Sequence, residues 1–173
     1  NRSEALINRV TKLMRLVYNY PPKIMINEDT GVTRIEFNNV ELWNFLFNRA
    51  LELKSNIKEM PREIQREFLR AFFDDEGSMD LRLKINKRRV RGYQKDKSVL
   101  TTVQALLLNF DIESKLQGCN EVVITGKENL IKFQKEINFS KGVRLNPNRT
   151  NSLWKKNIEK RKLLDMAIKS FKT

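Results

Sequence analysis

No histidine occurs anywhere in the 173 residues. Imidazole acid–base catalysis, His-activated nucleophiles and most zinc sites are thereby excluded. Chemistry is left to carboxylates, Lys, Arg, Tyr, Ser and Thr, or to a hard metal ion on oxygen ligands. Cysteine is nearly absent: Cys119 stands alone, so no internal disulfide can form, and a reducing, intracellular home is expected. No apolar run nears the roughly 20 residues that span a bilayer. No basic-apolar-small leader is seen, so neither a membrane nor secretion is expected. The sequence opens on Asn1 rather than Met, and a fragment or a processed product is expected.

What is present is charge, at 32% of residues, on a 40% hydrophobic background that suits an ordinary globular domain. The net charge is +13, and it is segregated. Residues 79–97 carry eight Lys/Arg against two Asp, a net of +6. Residues 141–173 carry ten against two, a net of +8, which leaves the rest of the chain at −1. Two concentrated positive segments point to a polyanion, and nucleic acid is the natural one. A membrane surface or plain solubility are the alternatives.

The patterning predicts a helix over 4–18, stopped by Tyr20-Pro21-Pro22. A hairpin follows, over 23–27 and 32–37. A helix then starts at an Asn38 or Asn39 cap and runs to about Leu51. Met60-Pro61 opens another helix, which ends at Gly77. Residues 79–86 alternate like a strand, with Leu81, Leu83 and Ile85 on one face and Asp80, Arg82, Lys84 and Asn86 on the other. Lys87-Arg88-Arg89 reads as a basic tip, and 90–94 as the returning strand. A helix over 98–109, a hairpin over 113–125 turning at Gly118-Cys119-Asn120, and a helix over 129–137 follow. Residues 141–151 read as a basic loop and 154–171 as a last amphipathic helix. Helix, hairpin, helix thus occurs twice, with residues 35–42 matching 123–130 by pattern. The expected domains are a partial first repeat over 1–59, a complete repeat over 60–140, and a loop with a C-terminal helix over 141–173.

The most informative stretch is FLRAFFDDEG at residues 68–77. Ile64, Phe68 and Phe72 form one apolar stripe, and Leu69 and Phe73 a second. So wide an apolar arc suits a helix packed on more than one side, and the small Ala71 lets another backbone approach. Asp74, Asp75 and Glu76 then crowd the C-terminal end, where the helix dipole disfavours each anion by about 0.3–1 kcal/mol. A solvated acidic turn paired with nearby Arg and Lys is one reading. A divalent cation, which would become the largest local charge, is the other.

Residues 69–77 resemble the LAGLIDADG signature, and the order of elements behind them resembles the αββαββα repeat of the LAGLIDADG homing endonucleases. The resemblance covers about residues 61–139. It implies an α+β fold with an antiparallel, saddle-shaped sheet and helices on one face. It further implies that two signature helices pair, here through Leu69, Ala71 and Phe72. The acid before the final Gly, here Glu76, would hold the catalytic metal, with the carbonyl of Asp75 as a second ligand and Mg²⁺ or Mn²⁺ as cofactor. Ala71 replaces the usual Gly, and Asp75 stands where a small residue is common. A second acid would have to come either from residues upstream of Asn1 or from a second copy of the chain.

A basic β-ribbon fits the major groove of double-stranded DNA. Candidate contacts are Arg82, Lys84, Asn86, Lys87, Arg88, Arg89, Arg91, Tyr93 and Lys95, with Lys23, Asn27 and Arg34 as a sparser set in the first hairpin. An ordinary charged edge hairpin is the alternative. The resemblance places Lys127 near the scissile phosphate; otherwise it is a surface lysine at a helix start. For the last helix, core packing with a solvated basic face stands beside DNA-backbone or partner contact. The function expected is a metal-dependent, site-specific DNA endonuclease. The alternative is a non-cutting relative, either a transcription regulator or an intron-splicing maturase.

Overall fold

The computed structural model describes residues 3–30, 32–145, 154 and 157–171. It divides into two compact units, residues 1–56 and 57–173. In the first, α1 (Glu4–Tyr18) ends where Asn19 takes a left-handed conformation, φ 49°, and donates its N–H back to the Met14 carbonyl. Asn tolerates that region better than most residues, so the helix stops before the two prolines reach it. Strands β1 (Lys23–Asn27) and β2 (Val32–Glu36) pair antiparallel, from Lys23 opposite Glu36 to Asn27 opposite Val32. Then α2 (Val40–Asn56) starts under an Asn39 cap, whose Oδ1 accepts from Leu42 N at 2.8 Å. Among the described residues of this unit only Met14 and Pro22 are buried.

The second unit holds the core. Pro61 precedes α3 (Arg62–Asp75), where its fixed φ suits a helix start and its missing N–H costs nothing. The chain then passes into β3 (Gly77–Arg82), a 3-10 turn (Leu83–Ile85) and β4 (Lys87–Tyr93). Next come α4 (Lys97–Leu108), β5 (Lys115–Gln117), β6 (Glu121–Thr125) and α5 (Lys127–Glu136). The last element is α6 (Lys160–Lys169). The sheet order is β3-β4-β6-β5, antiparallel throughout and open, with β3 and β5 as edges. This is the α+β arrangement that the sequence pattern predicts.

Period two along the strands decides what is covered. Met79, Leu81, Val90, Val122 and Ile124 point to one face and are buried. Leu100, Val103, Leu106 and Leu107 of α4, Leu130 and Phe133 of α5, and Leu163, Leu164 and Ala167 of α6 are buried with them. Phe72, Phe73, Phe133 and Phe139 form an edge-to-face chain with centroids 5.0–5.4 Å apart. Each fully buried Phe contributes about 1.5–3 kcal/mol by burial. One buried polar group ties α3 in place: the Gln65 amide donates to the Lys58 and Met60 carbonyls and accepts from Asn109.

Two boundaries differ from expectation. The strand expected over 79–86 runs from Gly77 to Arg82 and gives way to the 3-10 turn. Asn86, left-handed at φ 53°, closes the reversal. The Leu83/Ile85 alternation mimics a strand, yet both residues are about half exposed. The tip therefore lies at 83–86, and Lys87-Arg88-Arg89 opens β4 instead of forming it. The last helix was expected from 154, but its described part begins at Lys160, because residues 158–160 run extended. Leu145 N donates to the Ile158 carbonyl at 2.9 Å, Lys160 N donates to the Val143 carbonyl at 2.9 Å, and Arg144 bridges Glu159. Residues 146–153, 155 and 156, including most of the expected basic loop, lie outside the described residues. No helix among the described residues is long and apolar enough to cross a membrane.

Candidate functional site

No linker separates α3 from β3. Glu76 N donates to the Phe72 carbonyl at 2.9 Å, closing the last helical turn, and the Glu76 carbonyl accepts from Tyr93 N at 3.1 Å, opening the strand register. Position 77 must be glycine for this. A Cβ there would stand 2.2 Å from the Phe73 carbonyl oxygen, which is backbone and cannot swing aside. Opposite it in the ladder, Gly92 leaves room for the Phe72 ring, 2.4 Å from where a Cβ would be. The three acids separate in this geometry. Asp74 is buried, with its carboxylate accepting from Ser140 N at 2.8 Å, while Asp75 and Glu76 are exposed. Among the described residues the Glu76 carboxylate has no ion pair or hydrogen bond.

Residues opposite one another in an antiparallel ladder share a face. The face turned away from the helices therefore carries Ser78, Asp80 and Arg82 of β3 and Lys87, Arg89, Arg91 and Tyr93 of β4. Glu121, Val123 and Thr125 of β6 and Lys115 and Gln117 of β5 complete it. Five Lys/Arg stand against two acids there. Asp80, with 3% of its side chain exposed, accepts from Arg82 Nε at 2.8 Å and from Arg89 Nε at 2.7 Å. Burial pushes its carboxyl up, but the hydrogen bonds and charges of the two guanidiniums together outweigh that and hold it below the usual carboxylate range. The same contact raises the Arg82 pKa. Arg91 pairs with Glu121, and Arg89 also donates to Gln117 Oε1 at 3.1 Å. The arginines are thus held in fixed orientations, each keeping donors to spare.

Residues 63–138 match the LAGLIDADG-like domain family. That stretch is LAGLIDADG-like. Solved structures agree in fold. The homing endonuclease I-DmoI in complex with DNA and Mn has a TM-score of 0.61 at 22% identity, over 79% of this chain and 77% of that one. Mesophilic variants of I-DmoI give 0.60 at 22% identity, over 79% and 71%. A variant bound to its target DNA in 2 mM Mg gives 0.60 at 21% identity, over 79% and 76%. No curated protein sequence matches the chain.

Within this LAGLIDADG-like stretch the expected site residues fall into three groups. Arg82, Lys87, Arg89, Arg91 and Tyr93 share the open face, and Lys95 is exposed just beyond it. Lys84 and Asn86 do not share that face, because they lie in the tip, where Asn86 Oδ1 accepts from Arg88. Arg88 is turned the other way altogether. It stands opposite the buried Leu81, donates to Ser170 Oγ at 2.7 Å and to the Ser170 carbonyl at 3.0 Å, and lies 4.8 Å over the Phe171 ring. Strand alternation thus points Arg88 at α6 and away from the open face, contrary to the DNA contact expected of it. Lys127 is exposed at the start of α5, just past the β6 end and Gly126.

The expected helix-pair surface also needs correction. Leu69 is fully buried and has no surface left for a partner helix, and Phe72 leans on Gly92 of its own sheet. The neighbouring stripe on α3 has Ile64 and Ala71 exposed and Phe68 half-buried, and leads to the exposed Asp75. In the other unit Lys23, Asn27 and Arg34 do share one face of their hairpin, with Arg34 3.5 Å from Glu36. Sequence reasoning missed Lys115 and Gln117 on the open face, and the pairing by which Asp80 and Glu121 orient its arginines. The i, i+2 spacing of Lys115 and Gln117 was the available signal, in a strand of three residues.

The donors at the α3 exit suit a hard cation. Two exposed acids stand at the negative end of a helix dipole, and Glu76 offers carboxylate oxygens that no described residue engages. Among the described residues no cluster of three or more His, Cys, Asp or Glu forms. A coordination shell at this exit would therefore need donors from beyond the described residues.

Proposed function

We propose that the chain is a divalent-metal-dependent, site-specific endonuclease of the homing type, acting on double-stranded DNA. The observation that supports it most is the direct junction of α3 and β3. That junction sets an unpaired Glu76 carboxylate at the root of a strand whose open face carries oriented guanidiniums. In this reading Arg82, Lys87, Arg89, Arg91 and Tyr93, with Lys95, grip phosphates and base edges. Arginine forks suit guanine in the major groove. In the other unit, Lys23 and Arg34 would be the DNA contacts. Glu76 would hold Mg²⁺ or Mn²⁺ together with the Asp75 carbonyl. Such a cation, when bound, supplies a water of lowered pKa and steadies the leaving oxygen. Lys127 would offset charge that develops on the phosphate.

The open α3 stripe would take a second acid-ended helix, from another copy or from elsewhere in a longer chain, which completes the coordination shell. An intracellular location goes with a DNA substrate. The test is a duplex cleavage assay in Mg²⁺. Glu76→Gln should lower the rate by at least about 100-fold while leaving DNA affinity within about twofold, since the ligand is lost but the grip is not. A second reading, a non-cutting DNA binder, draws on the fact that only two exposed acids meet at the site. Salt-dependent DNA binding with no metal-dependent cleavage, even by a chain paired through α3, would favour it and sink the first.

A further inference from the structure

Lys160 is the one buried basic side chain among the described residues, at 5% exposure. An ammonium loses its hydration there and needs compensation. Its Nζ donates to the Asp74 carbonyl at 2.7 Å and to the Phe73 carbonyl at 3.2 Å, and lies 5.5 Å over the Phe139 ring. Those carbonyls lie at the negative end of the α3 dipole, and the Phe73 oxygen also accepts from Glu76 N. The same Phe73 oxygen is the atom that a side chain at position 77 would strike. It is therefore boxed in by the outgoing strand on one side and the ammonium on the other.

Two further contacts come from the same C-terminal segment. Ser140 N holds the Asp74 carboxylate, and Lys160 N is itself held by the Val143 carbonyl. One peptide beyond Asp75, Glu76 is fixed from the strand side by Tyr93 N. The last turn of α3 is thus held by Ser140 N and Tyr93 N at its edges and by the Lys160 ammonium at its final carbonyls.

The geometry points to Lys160 as a positioning residue: α6, through this ammonium, fixes the α3 exit and with it the direction of the Glu76 carboxylate. The inference rests on the metal-ligand reading of Glu76 for its consequence, although not for its geometry. Groups that orient a ligand from behind typically change metal affinity 10–100-fold when removed.

The experiment compares the full chain with Lys160→Met, with Lys160→Gln, which keeps a donor, and with Leu163→Ala, a buried truncation on the same helix. Mn²⁺ is titrated into each, with and without a random-sequence duplex, and bound metal is read by electron paramagnetic resonance. Amide exchange is followed at residues 75–78. Lys160→Met should weaken Mn²⁺ by about tenfold or more and speed exchange at 75–78. Leu163→Ala should lower Tm yet leave Mn²⁺ affinity within about twofold. If Lys160→Met does not fold, Lys160→Gln carries the comparison with the same expected direction. Unchanged Mn²⁺ affinity in the Lys160 variants, or an equal loss in Leu163→Ala, overturns the proposal. If the wild-type chain itself binds no Mn²⁺, the metal reading of Glu76 falls. Exchange then decides: faster at 75–78 but not across α4 upholds the positioning role, and unchanged exchange at 75–78 refutes it.

Discussion

Asp80 has 3% of its side chain exposed, and guanidiniums reach it from its own strand and from the next. Because its folded pKa lies below its ordinary value of 3.8, its contribution to stability is complete above about pH 4 and is lost as pH falls further. Thermal melts from pH 5 to 2.5 should show this acid loss in the wild type and a shallower one in Asp80→Asn. At neutral pH that variant should be less stable by about 1–3 kcal/mol, because two part-buried arginines lose a charged acceptor. Its DNA binding should grow stronger and more salt-dependent, since a neutralising charge has left the open face. The glycines make a second residue-scale contrast. Gly77→Ala sets a Cβ against backbone and should cost on the order of 3 kcal/mol. Gly92→Ala meets the far end of the Phe72 ring, which can turn, and should cost less. Denaturant melts that rank the two the other way would contradict the proposed fit of the junction.

At the scale of elements, α6 braces the sheet from below, with Lys160 at its first residue holding α3 and Arg88 of β4 holding its far end. Arg88→Ala should therefore lower stability while leaving the salt slope of DNA binding unchanged. Arg91→Ala should reduce that slope by about 0.9, the share of one phosphate contact. Equal slopes for the two variants would contradict the division of faces.

Elements with a strong period were legible in the sequence. The 4–18 helix, the acid-ended helix and the hairpin expected over 113–125, whose strands are 115–117 and 121–125, all follow from alternation, caps and prolines. The strand tip was not legible, because Leu83 and Ile85 continue an alternation that nothing covers. Nor was the facing of Arg88 and Arg89, since a one-residue change in where the strand begins exchanges inside for outside. Asp75 and Glu76 were legible at the α3 exit by motif. Lys160 was invisible there, because its partners lie 86 and 87 residues away and it sits among solvated lysines in the sequence.

Over the whole molecule the two units differ in what they bury. Residues 57–173 enclose a continuous apolar core, whereas in residues 1–56 Leu16, Ile26, Val40 and Trp43 are each more than half exposed. Hydrogen exchange should show the consequence: protection near the global limit in α4 and β6, and far less in α1 and α2. Uniform protection along the chain would contradict it. Cys119, the only thiol, is exposed in the β5–β6 turn, at the rim of a surface depression of about 330 Å³ lined by Arg89 and Tyr93. A maleimide fluorophore would therefore attach at a single known point on the open sheet, and its emission would report the arrival of a duplex there without any engineered cysteine.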